Sequence, residues 1–269
     1  MNIKKISLAL LSSIALILPT FSLSAQPAKA GLDSKPDCPD TGNTDSMSSD
    51  CYATPAVMEV PFYELGFCIS DPLENYSFSR ANCSKAWSST SPQTIDLAKF
   101  NYTGLTSGLT HEIPYRTYTH AYVIIGNTWG MKGEAYFNSK TYYSDADGQV
   151  TENLSNYSKF DNKITDMEGT EGTGSCYDYA ETTDYGPIKA VLTDSNLLTA
   201  TGSSSCNSSV RMVGSIDLDT DLIMNKSVKS YNLTWIVRNM GLYVNWSSGG
   251  NSPTEFWSGP FVPNFELGN

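Results

Sequence analysis

Residues 115–129 read YRTYTHAYVIIGNTW and carry the strongest strand signal in the chain. Tyrosine, threonine, valine, isoleucine and tryptophan favour strands because branched and aromatic side chains pack well on a pleated surface. Shorter runs of the same character recur on both sides and are separated by residues typical of turns. No segment keeps the 3.6-residue period of an amphipathic helix. The sequence therefore predicts an all-β protein, an antiparallel β-sandwich with disulfide-stapled loops.

The strand-like runs occupy most of the chain after residue 54. A long run covers 57–68, and the segment from 68 to 92 is predicted as a loop. Residues 141–144 and 149–151 flank the sequence DADG, which predicts a hairpin with a type I′ turn at 145–148. A polar, glycine-rich stretch at 154–185 is predicted to be an insertion. Further strands are expected at 187–192, 210–218, 222–226, 230–238 and 242–246.

The first thirty residues have the features of a secretory signal peptide. Lys4 and Lys5 precede an almost wholly apolar segment at 6–23, and Ala28-Lys29-Ala30 supplies the small residues that a signal peptidase reads. Pro19 interrupts the apolar segment, which argues against the alternative of a membrane anchor. No later segment is long and apolar enough to span a bilayer. We therefore predict a secreted protein, extracellular or periplasmic, or on the outer surface of a bacterium.

Charge and composition limit the partners of the mature chain. The 269 residues include 17 basic and 28 acidic side chains, for a formal charge of −11. Removal of residues 1–30 takes away three lysines and no acids, which leaves a charge of −14. A chain this acidic repels phosphate backbones, so nucleic acid is not an expected partner. Residues 31–53 are rich in Asp, Ser, Pro and Gly and are predicted to form a flexible acidic arm before a single domain at 54–269.

Cysteine usage agrees with export. An even number of cysteines in an exported chain predicts three disulfides, for which fifteen connectivities are possible. We favour bonds between sequence neighbours because the intervening segments are rich in the residues of surface loops. The zinc alternative is disfavoured because no spacing is that of a zinc ligand pair. The predicted pairs are Cys38–Cys51, Cys68–Cys83 and Cys176–Cys206.

A resemblance extends over about residues 56–152. Its motifs are VPFYELGFC at 60–68, IDLAKF at 95–100, YTHAYV at 118–123 and DADG at 145–148. Their order resembles that of secreted bacterial proteins of the DUF4382 family, whose function is unknown. The resemblance implies an immunoglobulin- or prealbumin-like β-sandwich and an extracellular location. It implies no catalytic residues.

Two groups of aspartates are candidates for calcium binding. Asp145 and Asp147 precede a glycine, as at the start of an EF-hand loop, but the later ligand positions of such a loop do not match. A hairpin turn is the favoured interpretation. Asp217, Asp219 and Asp221 alternate along a predicted strand, where a solvated face is favoured over a bridging cation. No motif indicates any other cofactor.

Aromatic residues near the C-terminus are candidates for glycan binding. Trp235, Trp246 and Trp257 lie eleven residues apart, with Tyr243 between them. Aromatic rings exposed on a β-surface stack on sugar rings, whereas successive strands also place tryptophans in a core. We expect at least two of the three tryptophans to be core residues.

The sequence contains no recognisable catalytic motif. His111 and His120 are the only histidines, and no spacing connects them to a nucleophile. We therefore predict a non-catalytic structural or surface-interaction protein that associates with itself. The first alternative is a carbohydrate-binding module that uses the C-terminal aromatic residues. The second is an extracellular hydrolase of unrecognised type.

Overall fold

The computed structural model confirms an all-β protein with antiparallel sheets. The predicted signal peptide and most of the predicted arm lie outside the described residues. In the part of the chain that is described, no helix is long and apolar enough to cross a membrane. The described residues are 36–38, 50–99, 109–167, 176–180, 187–201, 203–228, 230–246 and 252–268.

In the described residues, strands account for nearly all of the regular structure. The helical elements there are one short α-helix, α1 (Ser203–Ser208), and two 3₁₀ turns (Glu74–Tyr76 and Leu154–Asn156). The strands are β1 (Cys51–Ala53), β2 (Val57–Cys68), β3 (Cys83–Asp96), β4 (Leu109–Thr110), β5 (Thr117–Gly126), β6 (Thr128–Lys132), β7 (Glu134–Phe137), β8 (Lys140–Ser144), β9 (Val150–Thr151), β10 (Phe160–Lys163), β11 (Tyr177–Ala180), β12 (Ile188–Thr193), β13 (Arg211–Ile223), β14 (Ser230–Ile236), β15 (Leu242–Trp246), β16 (Pro253–Ser258) and β17 (Val262–Gly268).

A nine-stranded sheet organises the molecule around β2. This strand pairs with β3 along one edge and with β5 and then β6 along the other. The sheet continues from β5 to β13, β12 and β11, and from β6 to β10. Strand β5 corresponds to the central part of the sequence YRTYTHAYVIIGNTW, so the strongest strand signal forms the middle of the largest sheet.

The described part of the chain also forms three smaller sheets, in the orders β1-β15-β16, β7-β8-β9 and β14-β17. Their apolar side chains pack against one face of the nine-stranded sheet. Phe62 of β2 contacts Trp235 of β14, and Trp129 of β6 contacts Phe261, with ring centroids 5.2 Å apart in each pair. The main core lies between these layers. This packing supports the predicted sandwich, while its immunoglobulin- or prealbumin-like type stays a prediction.

A bulge in β2 distributes its side chains between the two faces of the large sheet. The ladders that β2 forms with β3 and with β5 both shift register between Phe62 and Glu64. Before the bulge, Phe62 belongs to the main core, and after it Leu65 and Phe67 do. Two consecutive residues, Tyr63 and Glu64, therefore face the opposite side, where a smaller apolar cluster lies. We call that side the outer face.

All three predicted disulfides are present: Cys38–Cys51, Cys68–Cys83 and Cys176–Cys206. The first ties the arm to β1, and Asp37 forms a bridge with Tyr52 of that strand. β1 itself pairs with β15, although the sequence analysis placed it at the end of the flexible arm. The described end of the arm is thus part of the β-structure.

Two predicted loops contain strands. Residues 68–92 were predicted as a loop, but β3 begins at Cys83 and forms the longest pairing with β2. The predicted insertion at 154–185 supplies β10 and β11, which pair with β6 and β12. Both strands are four residues long, so their pairing partners stabilise them more than their own sequences do.

The DADG hairpin forms, but its turn differs from the predicted type. Asp145 Oδ1 accepts hydrogen bonds from the backbone N–H groups of Asp147 and Gln149, at 2.9 Å each. Gly148 has a φ of 77°, whereas no positive φ occurs at Ala146 or Asp147. A type I′ turn needs two consecutive positive φ angles. A single glycine with positive φ after two residues without one is instead typical of a type I turn with a bulge.

Candidate binding surfaces

Alternation along β15 and β16 separates core residues from surface residues. Leu242, Val244 and Trp246 point toward the main core, and Phe256 of β16 joins them. Tyr243 and Trp257 lie directly opposite each other in the β15–β16 ladder and point the other way. We call this side of the β1-β15-β16 sheet the aromatic face.

Trp257 is the exposed ring of the aromatic face. It is 43% exposed and stacks on Tyr243, with ring centroids 5.6 Å apart and an interplanar angle of 26°. The Tyr243 hydroxyl donates a 2.6 Å hydrogen bond to Oδ2 of Asp50, whose Oδ1 accepts the backbone N–H of Trp246 at 2.7 Å. Asp50 therefore fixes Tyr243, and Tyr243 in turn supports the indole of Trp257.

Polar side chains lie beside this ring pair. Glu255 precedes Trp257 by two residues on β16 and so lies on the same side of the strand. Its carboxylate accepts a 3.2 Å hydrogen bond from the side-chain amide of Gln149. Asn245 lies opposite Glu255 in the ladder and accepts a hydrogen bond from the Thr254 hydroxyl. The aromatic face thus combines one exposed ring with amide and carboxylate groups.

The structure divides the four predicted glycan-binding residues into two pairs. Trp246 is 6% exposed and packs edge-on against Phe137 at 4.6 Å. Trp235 packs against the main core between Phe62 and Phe261. Of the three evenly spaced tryptophans, Trp246 is therefore a core residue and Trp235 is partly buried against the core. Only Tyr243 and Trp257 of the predicted set meet on a surface.

A second polar site lies on the outer face of the large sheet, where the carboxylate of Glu64 is buried. The Arg80 guanidinium donates to both of its oxygens, at 2.7 Å through Nε and 3.2 Å through Nη2. Lys85 Nζ lies 3.1 Å from Oε2, and the Tyr122 hydroxyl donates to Oε1 at 2.7 Å. Neighbouring strands supply Lys85 and Tyr122, while Arg80 comes from the loop closed by the Cys68–Cys83 disulfide.

The ionisation of Glu64 follows from these contacts. Burial alone would raise its pKa, but the hydrogen bonds from Arg80 and Tyr122 and the charge of Arg80 lower the pKa below its usual range. Burial and the adjacent carboxylate raise the pKa of Tyr122, so its hydroxyl stays protonated as a donor. Burial would lower the pKa of Arg80, but Glu64 raises it. The cluster is therefore one anion with two cations.

The two histidines lie in different surroundings. His111 Nε2 is 2.9 Å from Ser88 Oγ, a distance suited to a nucleophile and its base. Among the described residues, no carboxylate contacts the ring of His111. His120 contacts the Thr119 hydroxyl at 2.8 Å and lies 3.9 Å from Asp217. The 3.9 Å between His120 and Asp217 is longer than a hydrogen bond, so neither histidine is part of a fully hydrogen-bonded triad among the described residues.

The predicted calcium ligands do not come together. Asp145 uses Oδ1 within its own turn. Asp217, Asp219 and Asp221 are exposed on β13, where the register shifts after Asp217. In the described ranges, no group of three or more His, Cys, Asp or Glu side chains is placed to hold a metal ion. Calcium binding stays a prediction from sequence.

Sequence reasoning missed the Glu64 cluster. Glu64 lies in a predicted strand, but its partners Arg80 and Tyr122 are 16 and 58 residues away. The bulge that turns Glu64 to the outer face leaves no pattern that a single sequence reveals. The available indication was a carboxylate inside an otherwise apolar run, FYELGF at 62–67.

Comparison with known proteins gives no relative for this chain. No protein-family model, no curated protein and no solved structure matches it. The resemblance to the DUF4382 family therefore stays a prediction, and function rests on the two surfaces described above.

Proposed function

We propose that this chain is an exported, non-catalytic surface-interaction protein that binds carbohydrate through its aromatic face. The observation that carries this proposal is the stack of Trp257 on Tyr243, with Trp257 43% exposed. An exposed indole offers an apolar plane to the C–H face of a pyranose ring. Tryptophan is enriched at interfaces, because its ring combines a large apolar surface with a polar N–H group.

Preorganisation supports the proposal. The indole is held against Tyr243, and Tyr243 is held by Asp50 through a 2.6 Å hydrogen bond. A ring that is already ordered loses little conformational entropy when a ligand binds, so more of the contact energy remains as affinity. Glu255 and Gln149 next to the ring supply acceptors and a donor for sugar hydroxyl groups.

Export is supported by two independent features. The sequence at 1–30 has the order of a signal peptide, and all six cysteines are paired. Disulfides persist in oxidising compartments and are rare where thiols are kept reduced. The proposed non-catalytic role goes with the arrangement at Ser88 and His111, where no carboxylate of the described residues contacts the imidazole ring.

A glycan array probed with the mature protein tests the proposal. We expect binding to a defined group of neutral glycans, loss of that binding in Trp257→Ala and partial retention in Trp257→Phe. The matched control is Leu198→Ala, which removes another exposed apolar side chain, 68% exposed, from a loop outside the aromatic face. Absence of glycan binding by the wild type contradicts the proposal, and so does equal binding by wild type and Trp257→Ala.

Self-association is the other function that the sequence predicts, and it can be distinguished from glycan binding by the mass of the protein in solution. Size-exclusion chromatography with light scattering measures the mass of the mature chain directly. A concentration-dependent oligomer that survives Trp257→Ala favours a self-assembling structural protein over a glycan-binding one.

A further inference from the structure

Two cations on the outer face share a single carboxylate. Arg80 and Lys85 both contact Glu64, at 2.7 Å and 3.1 Å. Among the described residues, neither cation has a second carboxylate partner. Four other lysines of the described part each pair with a single carboxylate, for example Lys140 with Glu152 and Lys189 with Asp71. The outer-face cluster therefore carries a net positive charge in a chain whose total charge is −11.

Glu64 holds the two cationic groups in place. Its side chain is 8% exposed, whereas those of Arg80 and Lys85 are 43% and 40% exposed. The charged groups meet at a buried anchor and are still open to solvent. Arg80 also lies over the ring of Phe78, 5.1 Å from its centroid, which limits the orientations of the guanidinium.

Unused hydrogen-bond donors remain on both cations. A guanidinium carries five N–H groups and an ammonium three. Arg80 directs two N–H groups to Glu64, and Lys85 directs one. Arg80 also contacts the Tyr122 hydroxyl. Both cationic side chains are 40% exposed or more, so their remaining donors are accessible to a ligand. A second negatively charged group with two or more oxygens would satisfy them and balance the charge of the cluster.

We propose that Arg80 and Lys85 form an anion-binding site for an isolated carboxylate or sulfate group carried by an acidic saccharide. A densely charged polymer is disfavoured because the rest of the chain is acidic, and duplex nucleic acid carries one charge per about 1.7 Å. A ligand with an isolated negative group is attracted by Arg80 and Lys85 and is repelled less strongly by the acidic remainder of the chain. The site lies across the main core from the aromatic face and does not rest on the function proposed for that face.

Titration with trigalacturonate, and with its neutral methyl ester, tests the site. Isothermal calorimetry at low ionic strength is the measurement, with inorganic sulfate as a third ligand. The variant is Lys85→Met, which removes a charge and keeps Arg80 on Glu64. Lys85→Arg restores the charge, and Lys140→Met removes an exposed lysine from a one-to-one pair elsewhere. Circular dichroism and thermal unfolding identify variants that fail to fold.

We expect saturable binding of trigalacturonate, no binding of its methyl ester and affinity about tenfold lower in Lys85→Met. Lys85→Arg and Lys140→Met should bind as the wild type does. Sulfate binding with the same dependence on Lys85 indicates that the free anion is sufficient, while tighter binding of trigalacturonate indicates that the saccharide contributes. No binding of either anion by the folded wild type overturns the proposal. Equal affinity of wild type and Lys85→Met, or equal loss in Lys140→Met, overturns it too.

Discussion

The Tyr122 hydroxyl donates a 2.7 Å hydrogen bond to Oε1 of Glu64 across the adjacent strands β5 and β2. Both side chains lie on the outer face, and Glu64 is the buried anchor for Arg80 and Lys85. A buried carboxylate is tolerated when each oxygen has charged or polar donors, as here. The geometry of the outer face therefore depends on Glu64.

Replacement of Glu64 should reduce stability moderately. Glu64→Gln keeps the shape of the side chain but removes the charge that the two cations and Tyr122 contact. Because both cations are about 40% exposed, they regain hydration, so we expect a loss of about 1–3 kcal/mol rather than the larger cost of a fully buried pair. Urea unfolding at pH 7 measures it. Glu152→Gln, at an exposed pair with Lys140, should change stability by less than about 1 kcal/mol.

The stability difference between wild type and Glu64→Gln should depend on pH. The pKa of Glu64 is lowered in the folded state, so the folded protein holds the carboxylate more strongly in its charged form than the unfolded chain does. This stabilisation is complete above the ordinary glutamate pKa of about 4.3 and is lost as the pH falls through the lower folded value. Melting temperatures of wild type and Glu64→Gln should differ at pH 7 and converge in acid. A gap that widens below pH 4 contradicts this account.

A glycine permits the position of the Tyr122 ring. A Cβ at Gly66 would lie 2.6 Å from Tyr122 Cε1 and would also collide with the backbone carbonyl of Ser84. We expect Gly66→Ala to cost about 1–3 kcal/mol by overpacking. Gly214→Ala is the strand control, because its Cβ would approach Val123 Cγ1 only to 3.3 Å. Urea unfolding measures the stability of both variants. A larger loss of unfolding free energy in Gly214→Ala than in Gly66→Ala would contradict this packing.

The Cys68–Cys83 disulfide should stabilise the hairpin that carries Arg80. It joins the end of β2 to the start of β3 over a separation of 15 residues. Loop-closure entropy predicts a loss of about 3 kcal/mol when both cysteines become alanine. Removal of Cys38 and Cys51, separated by 13 residues, should cost a similar amount but leave anion binding unchanged. Impaired anion binding in that second variant would contradict the assignment of the site to the Cys68–Cys83 loop.

Local features of the sequence predicted local features of the fold. Residues 115–129 predicted the central strand, and short separations between cysteines predicted the disulfide pairs. The sequence also predicted a hairpin at DADG but the wrong turn, because Asp145 accepts hydrogen bonds from its own loop and only Gly148 adopts a positive φ. The residue types at 145–148 are sufficient to locate the turn, whereas the type of turn depends on the twist of the two strands that it joins.

The features that the sequence did not reveal depend on distant contacts. Strand β10 consists of Phe160, Asp161, Asn162 and Lys163, a polar run that forms a strand because β6 pairs with it. The Glu64 cluster likewise depends on residues from three parts of the chain. Alternation along β15 and β16 places Trp246 and Trp257 on opposite faces of their sheet, but this assignment requires the register of the two strands.

The Ser88–His111 pair should be unreactive. No carboxylate of the described residues orients His111, so we expect the serine to gain little nucleophilicity over an ordinary hydroxyl. Incubation of the folded protein with a fluorophosphonate probe, followed by intact-mass measurement, should give no covalent adduct. An adduct that disappears in Ser88→Ala would contradict the non-catalytic role and favour the hydrolase alternative.

The most direct test of the account is a titration of the five indole N–H signals by NMR with soluble neutral oligosaccharides chosen from the glycan array. Trp87, Trp129 and Trp246 are no more than 6% exposed, and Trp235 packs on the core, so their signals should stay in place. The Trp257 signal should shift and saturate. Shifts confined to the other tryptophans, or no shift with any ligand, would contradict the claim that the aromatic face binds carbohydrate.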